Sequence, residues 1–69
     1  MYISYNNLWK TLIDQGVKKG ELCKKTGISS STLAKMSRNE PVSLSIILKI
    51  CEILDCSIEE VVSVNKKSE

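Results

Sequence analysis

Six of the ten lysine and arginine residues of this 69-residue chain lie between positions 18 and 39. They are Lys18, Lys19, Lys24, Lys25, Lys35 and Arg38, and Glu21 is the one carboxylate among them. Clustered side chains that stay positive at pH 7 can bind a polyanion, above all through its phosphate groups. The alternative is that the lysines between 18 and 25 only solvate one face of a helix, and charge alone leaves the two readings equal.

The charges of the other segments make this cluster stand out. Residues 1–17 carry one charge of each sign, and residues 40–69 carry three positive and six negative charges. The net charge of +2 therefore conceals a basic middle third and an acidic C-terminal third. This asymmetry is typical of a protein with one surface facing a polyanion and the opposite surface facing solvent.

Residues that support catalysis or metal binding are scarce. The chain has no histidine, and Cys23, Cys51 and Cys56 form no C-x-x-C pair. Without an imidazole, a nucleophile lacks its usual base and a zinc site lacks a usual ligand. We expect no enzymatic activity, cofactor, metal or small-molecule ligand, and we interpret the cysteines as reduced, small apolar side chains.

Length and hydropathy limit the chain to one small domain. A composition of 42% hydrophobic and 26% charged residues is ordinary for a folded domain. No apolar run approaches the ~18 residues of a membrane span, and the N-terminus lacks the features of a secretion signal. We therefore expect a cytoplasmic domain over residues 1–64, a flexible polar tail over 65–69, and no membrane partner.

Hydrophobic periodicity predicts a first helix over residues 5–15, ended by Gly16. Its apolar stripe is Leu8, Trp9, Leu12 and Ile13. Because Trp9 shares this face with two aliphatic residues, we interpret it as a core residue; the alternative is a platform on which a base could stack.

Two short helices are predicted in the basic middle third. One runs from Lys18 or Lys19 to Thr26 and ends at Gly27, and the next begins after Ser29 and continues to about Arg38. Leu22, Cys23, Leu33 and Met36 would face the core, with Ile28 anchoring the turn between the helices.

Two more helices are predicted in the C-terminal third. After a loop over 39–42, Ser43 would cap a fourth helix that ends near Asp55. Its predicted buried stripe is Leu44, Ile47, Leu48, Cys51 and Leu54. Ser57 and Glu60 match a capping box, which predicts a short fifth helix through Val62.

The second and third predicted helices have the spacing of a helix-turn-helix. In that motif the first helix crosses the DNA backbone and the second lies in the major groove. The open face of the second would be Ser30, Ser31, Ala34, Lys35 and Arg38. Each of these side chains is short or cationic, so none would keep the helix away from a groove lined with phosphates.

At this point a family resemblance becomes specific. Residues 16–62, and with the first helix about 5–62, resemble the lambda-repressor-like, Cro-type helix-turn-helix family of bacterial and phage regulators, also called the xenobiotic-response-element family. The residues that carry the resemblance are Glu21-Leu22, Thr26-Gly27-Ile28-Ser29, Ser31-Thr32-Leu33, Leu44, Ile50-Cys51 and Leu54. It implies an all-α, compact five-helix DNA-binding domain with the helix-turn-helix at helices 2 and 3.

The resemblance also implies a function: a sequence-specific transcriptional regulator, specifically a repressor, that inserts helix 3 (about 30–38) into the major groove of a double-stranded DNA operator. The implied base contacts are Ser30, Ser31 and Lys35, and the implied phosphate contacts are Lys19, Ser29, Thr32 and Arg38. Two serines make a weak recognition code, so specificity would lean on DNA shape and bridging water as well.

Two further readings concern protein partners. The C-terminal third could form a homodimer through Ile46, Ile53, Val62 and Val64, or these residues could fill the far side of the core. Alternatively, the whole fold could serve as a protein-interaction module, such as the antitoxin of a toxin–antitoxin pair.

Overall fold

The computed structural model describes residues 2–65, which form four α-helices flanked by two short strands. In chain order the elements are β1 (Tyr2–Ser4), α1 (Asn6–Gln15), α2 (Lys19–Thr26), α3 (Ser30–Ser37), α4 (Leu44–Leu54), a 3₁₀ helix (Ile58–Glu60) and β2 (Ser63–Asn65). One core joins them, formed by Tyr5, Leu8, Leu12, Leu22, Ile28, Met36, Ile47, Ile50, Leu54 and Val61. None of the helices within residues 2–65 has the length and apolar character that a membrane span requires.

The prediction of five helices is wrong, because the segment after α4 forms a single 3₁₀ turn and then a strand. The predicted capping pair does not bond to the backbone; instead the Ser57 hydroxyl donates to a carboxylate oxygen of Glu60 at 3.5 Å. β-Branched residues follow at 61, 62 and 64, and such residues favour extended backbone. The protein is therefore mostly helical, with a small sheet in place of the fifth helix.

The two strands pair the ends of the described chain in an antiparallel sheet. Tyr2 lies opposite Asn65, Ile3 opposite Val64 and Ser4 opposite Ser63. Asn65, the first residue of the predicted polar tail, therefore belongs to β2, and the rest of that tail, 66–69, lies outside the described residues.

Helix α1 packs its Leu8 and Leu12 into the core and ends at Gly16 in the left-handed conformation. The predicted stripe is wrong for Ile13, whose side chain is 78% exposed. Trp9 is half-buried and packs against the core cluster. The buried face is thus narrower than the sequence pattern indicated.

A polar row on α1 holds the C-terminal part of the chain in place. Asn7 and Thr11 donate from their side chains to the carbonyls of Glu59 and Glu60, each at 2.9 Å. One turn further along, the Gln15 amide donates to the carbonyl of Leu54 at 2.8 Å. Since the last carbonyls of a helix have no partner within the helix, Gln15 satisfies one at the end of α4.

Helix α4 buries part of the predicted stripe, because the predictions for Ile47 and Leu54 are confirmed and those for Leu44 and Leu48 are wrong. Ile47, Ile50 and Leu54 are in the core, whereas Leu44 and Leu48 are 61% and 53% exposed. The helix has apolar residues around most of its circumference, so periodicity alone placed Leu44 and Leu48 in the core and left out Ile50.

Tyr5 links the start of α1 to the loop that follows α3. Its side chain is fully buried, and its hydroxyl donates to the carbonyl of Glu40 at 2.8 Å. Its backbone N–H donates to the side-chain oxygen of Asn39 at 3.3 Å, and Asn39 has a positive φ of 58°, a conformation that asparagine tolerates better than most residues. Burial raises the pKa of the Tyr5 hydroxyl, which therefore stays protonated and able to donate.

Replacing Tyr5 by Phe is expected to lower the free energy of unfolding by about 0.5–1.5 kcal/mol, because the ring stays and the hydrogen bond to Glu40 is lost. Urea denaturation followed by circular dichroism measures the change. Tyr2→Phe is the matched control, since Tyr2 is exposed and its substitution should change the stability very little. Equal stability of the two variants would contradict the role assigned to the Tyr5 hydroxyl.

Candidate nucleic-acid interface

The connection between α2 and α3 is only three residues long. Gly27 ends α2 in the left-handed conformation, with φ of 78°, and its N–H donates to the carbonyl of Cys23 at 2.8 Å. Ile28 then turns into the core. The Thr26 hydroxyl donates to the carbonyl of Leu22 at 2.7 Å and accepts from the N–H of Ile28 at 3.4 Å. These contacts set the angle between the two helices.

Helix α3 begins at a side-chain cap, as the sequence predicted. The Ser29 hydroxyl accepts from the backbone N–H of Thr32 at 3.2 Å. It also lies 2.9 Å from the Ser31 hydroxyl and 3.0 Å from the Thr32 hydroxyl. The start of α3 therefore presents a hydrogen-bonded group of three hydroxyls.

One side of α3 is buried in the core and the opposite side is exposed, as a helix that binds DNA requires. Met36 is fully buried, and Leu33 and Ala34 are half-buried. The predicted base-contact residues Ser30, Ser31 and Lys35 are all exposed. Thr32 and Lys35 border a depression of about 270 Å³ that the loop after α3 and the start of α4 complete. Short polar side chains and one lysine thus lie together on an open surface.

The predicted phosphate contact Lys19 is the first residue of α2, and its ammonium group lies over the ring of Trp9. Its Nζ is 4.3 Å from the ring centroid, within the range of a cation–π interaction. The preceding N–H, that of Lys18, donates to a carboxylate oxygen of Glu21 at 3.3 Å. The Glu21 carboxylate therefore accepts a hydrogen bond at the start of α2, and the Lys19 ammonium contacts the uncharged ring of Trp9.

Arg38, another predicted phosphate contact, is paired with a carboxylate. Its Nε donates to Oε2 of Glu40 at 2.7 Å, and both side chains are exposed. The hydrogen bond from Arg38 lowers the pKa of the Glu40 carboxyl group, which is therefore charged at neutral pH. Part of the positive charge at the end of α3 is offset in this way.

Sequence analysis considered Trp9 only as a core residue or a stacking platform, and it did not foresee the contacts of Trp9 with Lys19 and of Glu40 with Arg38. Glu40 follows Arg38 at i+2 in a loop, a separation with no regular pairing pattern. Trp9 is ten positions before Lys19 in the chain, and only the packing of α1 against α2 brings the two together. The signal available in the sequence was a tryptophan on the helix that precedes the lysine-rich α2.

These features define a helix-turn-helix protein. Helix α2 is short, the turn has three residues with a left-handed glycine, and α3 is capped and has an open polar and cationic face. The sequence profile of the Cro/C1-type helix-turn-helix DNA-binding domain matches residues 7–67, and the chain belongs to this family. The fold is similar to the crystal structure of the transcriptional regulator VanUg, form II, with a TM-score of 0.87 and 50% identity over 90% of this chain and 83% of that chain. Comparison with curated proteins gives no match.

Substitution of two glycines by alanine tests the turn. A Cβ at Gly27 would meet nothing within 4 Å, so Gly27→Ala should lower the free energy of unfolding by about 1–2 kcal/mol through its positive φ alone. Gly20, inside α2, also has open space around it, and Gly20→Ala should raise stability by about 0.5–1 kcal/mol. Urea denaturation of both variants measures the changes, and the same sign for both would contradict this account of the turn.

Proposed function

We propose that this protein is a sequence-specific transcriptional repressor that inserts α3 into the major groove of a double-stranded DNA operator. The observation that carries the proposal is the open face of α3, on which Ser30, Ser31 and Lys35 are exposed beside a rigidly connected α2. A helix held at a fixed angle to its neighbour can enter the groove while the neighbour contacts the backbone. We propose no catalytic step.

Ser30, Ser31 and Lys35 are the proposed base contacts. The Lys35 ammonium can donate to O6 and N7 of a guanine, whereas a serine hydroxyl can donate or accept at several bases. Lys35 is therefore the main source of base discrimination. The two serines add contacts that tolerate more than one sequence.

Lys19, Ser29, Thr32 and Arg38 are the proposed phosphate contacts. The hydroxyls of Ser29 and Thr32 lie at the start of α3, where backbone N–H groups also favour anions. In Arg38, the bond to Glu40 uses Nε, and the two terminal nitrogens remain available to a phosphate oxygen. These contacts would hold the protein in register without reading sequence.

Repression requires only that the protein occupy its operator. A small domain bound across a promoter prevents other proteins from binding the same DNA, and this needs no contact with the transcription machinery. The 50% identity with a protein described as a transcriptional regulator supports a role in transcription for this chain.

Two lysine substitutions separate base contacts from phosphate contacts. The purified protein is bound to a random-sequence DNA pool at two salt concentrations, and the bound DNA is sequenced. Lys35→Ala should lose or change the enriched motif, since the best pair with a base is worth about 1–3 kcal/mol of discrimination. Lys19→Ala should weaken all sequences alike and reduce the slope of log affinity against log salt by about 0.9.

The same experiment can exclude the proposal. If wild-type protein enriches no motif and its binding is insensitive to salt, the fold serves a protein partner instead. The antitoxin-like interaction module would then be the better account. If both variants change the motif equally, DNA binding stands and the division of contacts is wrong.

We further propose that the protein forms a homodimer through its C-terminal third. Of the residues considered for this role, Ile46 and Val62 pack against the core, while Ile53 and Val64 are 43% and 62% exposed. Leu44 and Leu48 are also exposed apolar residues of α4, but they lie on the other side of the helix from Ile53. A second copy is the proposed occupant because helix-turn-helix dimers bind half-sites one helical turn of DNA apart, about 34 Å.

Ile53→Glu tests the dimer. The substitution places a charge on a surface that would become buried, so sedimentation should show a monomer where the wild type sediments as a dimer. Ile13→Glu is the matched control, because Ile13 is an equally large exposed residue on α1, outside the C-terminal third. A wild type that stays monomeric at high concentration, with and without DNA, would remove the dimer proposal.

A further inference from the structure

We propose that Trp9 is a positioning residue for the phosphate contact made by Lys19. The inference rests on the proposed DNA binding and goes beyond it by assigning a role to a residue of α1, outside the helix-turn-helix. The ring of Trp9 holds the Lys19 ammonium at the point where α2 begins, so that the charge is in place before DNA arrives. Trp9 acts through Lys19 and does not itself contact DNA.

The geometry supports an interaction that orders the lysine. Nζ of Lys19 is 4.3 Å from the ring centroid, and the ring is the only tryptophan of the chain. Trp9 is half-buried against the core on a helix whose neighbouring residues Leu8 and Leu12 are buried, so packing fixes the orientation of its ring. The mobile member of the pair is the exposed lysine side chain.

Apolar side chains surround the ring of Trp9. Trp9, Leu12, Ile13 and Val17 line a depression of about 290 Å³, with Lys18 and Lys19 also at its wall. This lining is largely apolar. Because Lys19 is exposed, its contact with the ring is a solvent-accessible cation–π interaction, which orders the lysine and leaves it open to a ligand.

A neutral aromatic ring is a better partner than a carboxylate for a lysine that must bind phosphate, because the ring does not repel the phosphate. Lysine loses much rotamer freedom when it binds, and prior ordering reduces that cost. The ammonium has three N–H donors, so the face away from the ring stays available to phosphate oxygens. Arg38 shows the opposite arrangement, because its partner Glu40 is negative and repels the phosphate that the arginine attracts.

A double-mutant cycle on DNA affinity tests the inference. Trp9→Leu should weaken binding roughly two- to fivefold when Lys19 is present, because the variant must then order the Lys19 side chain on binding. In the Lys19→Ala background, Trp9→Leu should have no further effect. The salt slope should fall in Lys19→Ala and stay unchanged in Trp9→Leu, because only the first removes a charge.

Lys24→Ala supplies the matched control, since it removes an exposed positive charge from the same helix. The effects of Trp9→Leu and Lys24→Ala should be additive. Each variant is assayed at a temperature where circular dichroism shows it folded; if Trp9→Leu does not fold, Trp9→Phe must show the same dependence on Lys19 at a smaller size.

The outcomes separate this inference from the proposed function. A wild type without salt-sensitive DNA binding overturns both. If the wild type binds DNA and Trp9→Leu is equally costly with and without Lys19, Trp9 is only a core residue and the inference fails alone. Tighter binding by Trp9→Leu would mean that the ring withholds Lys19 from DNA, which also overturns it.

Discussion

A buried tyrosine hydroxyl must find an acceptor inside the protein, and in this fold the acceptor is a loop carbonyl. The hydroxyl of Tyr5 donates to Glu40, and the backbone N–H of Tyr5 donates to Asn39. The start of α1 is thereby bonded to the loop that follows α3. Because α1 also contributes to the core that α2 and α3 share, the open face of α3 has a fixed position relative to the rest of the molecule.

Three contacts position the candidate DNA-binding surface on this core. The three-residue turn sets α3 against α2, the cap at Ser29 sets where α3 begins, and the packing of α1 brings a ring beneath the first lysine of α2. The first two are contacts between short side chains or backbone groups, and the third joins one ring to one ammonium group. A 69-residue chain buries only a small core, so local hydrogen bonds do much to fix the relative positions of its helices.

The middle of the chain was predictable because its signals are local. Gly27 and Ser29 mark the ends of two helices by their own backbone and side-chain chemistry, and α2 and α3 lie where these residues predicted. The resemblance to Cro-type regulators, based on the same residues, is confirmed by the family match. The role of each candidate site residue stays a prediction, because reading a base or a phosphate depends on DNA that the sequence does not contain.

The mistakes arose where the deciding partner is distant in sequence. Val61 and Val62 continue a plausible helical pattern, yet a strand follows them, in which Val64 pairs with Ile3 at the opposite end of the described chain. On α4, Leu48 and Ile50 are equally apolar, and the elements that pack against α4, α2 among them, decide which is buried. Local sequence patterns likewise could not predict the contact of Trp9 with Lys19 or the hydrogen bond from Gln15 to Leu54.

The pairing of β1 with β2 also bears on the order in which the protein folds. A sheet of two three-residue strands is unstable alone, and its partners come from opposite ends of the described chain. Closing so long a loop costs entropy that the strands cannot offset until the helices have packed. We therefore expect the sheet to form last during folding and to open first in the native state, and the amide hydrogens of its strands to exchange with solvent sooner than those of α1 or α4.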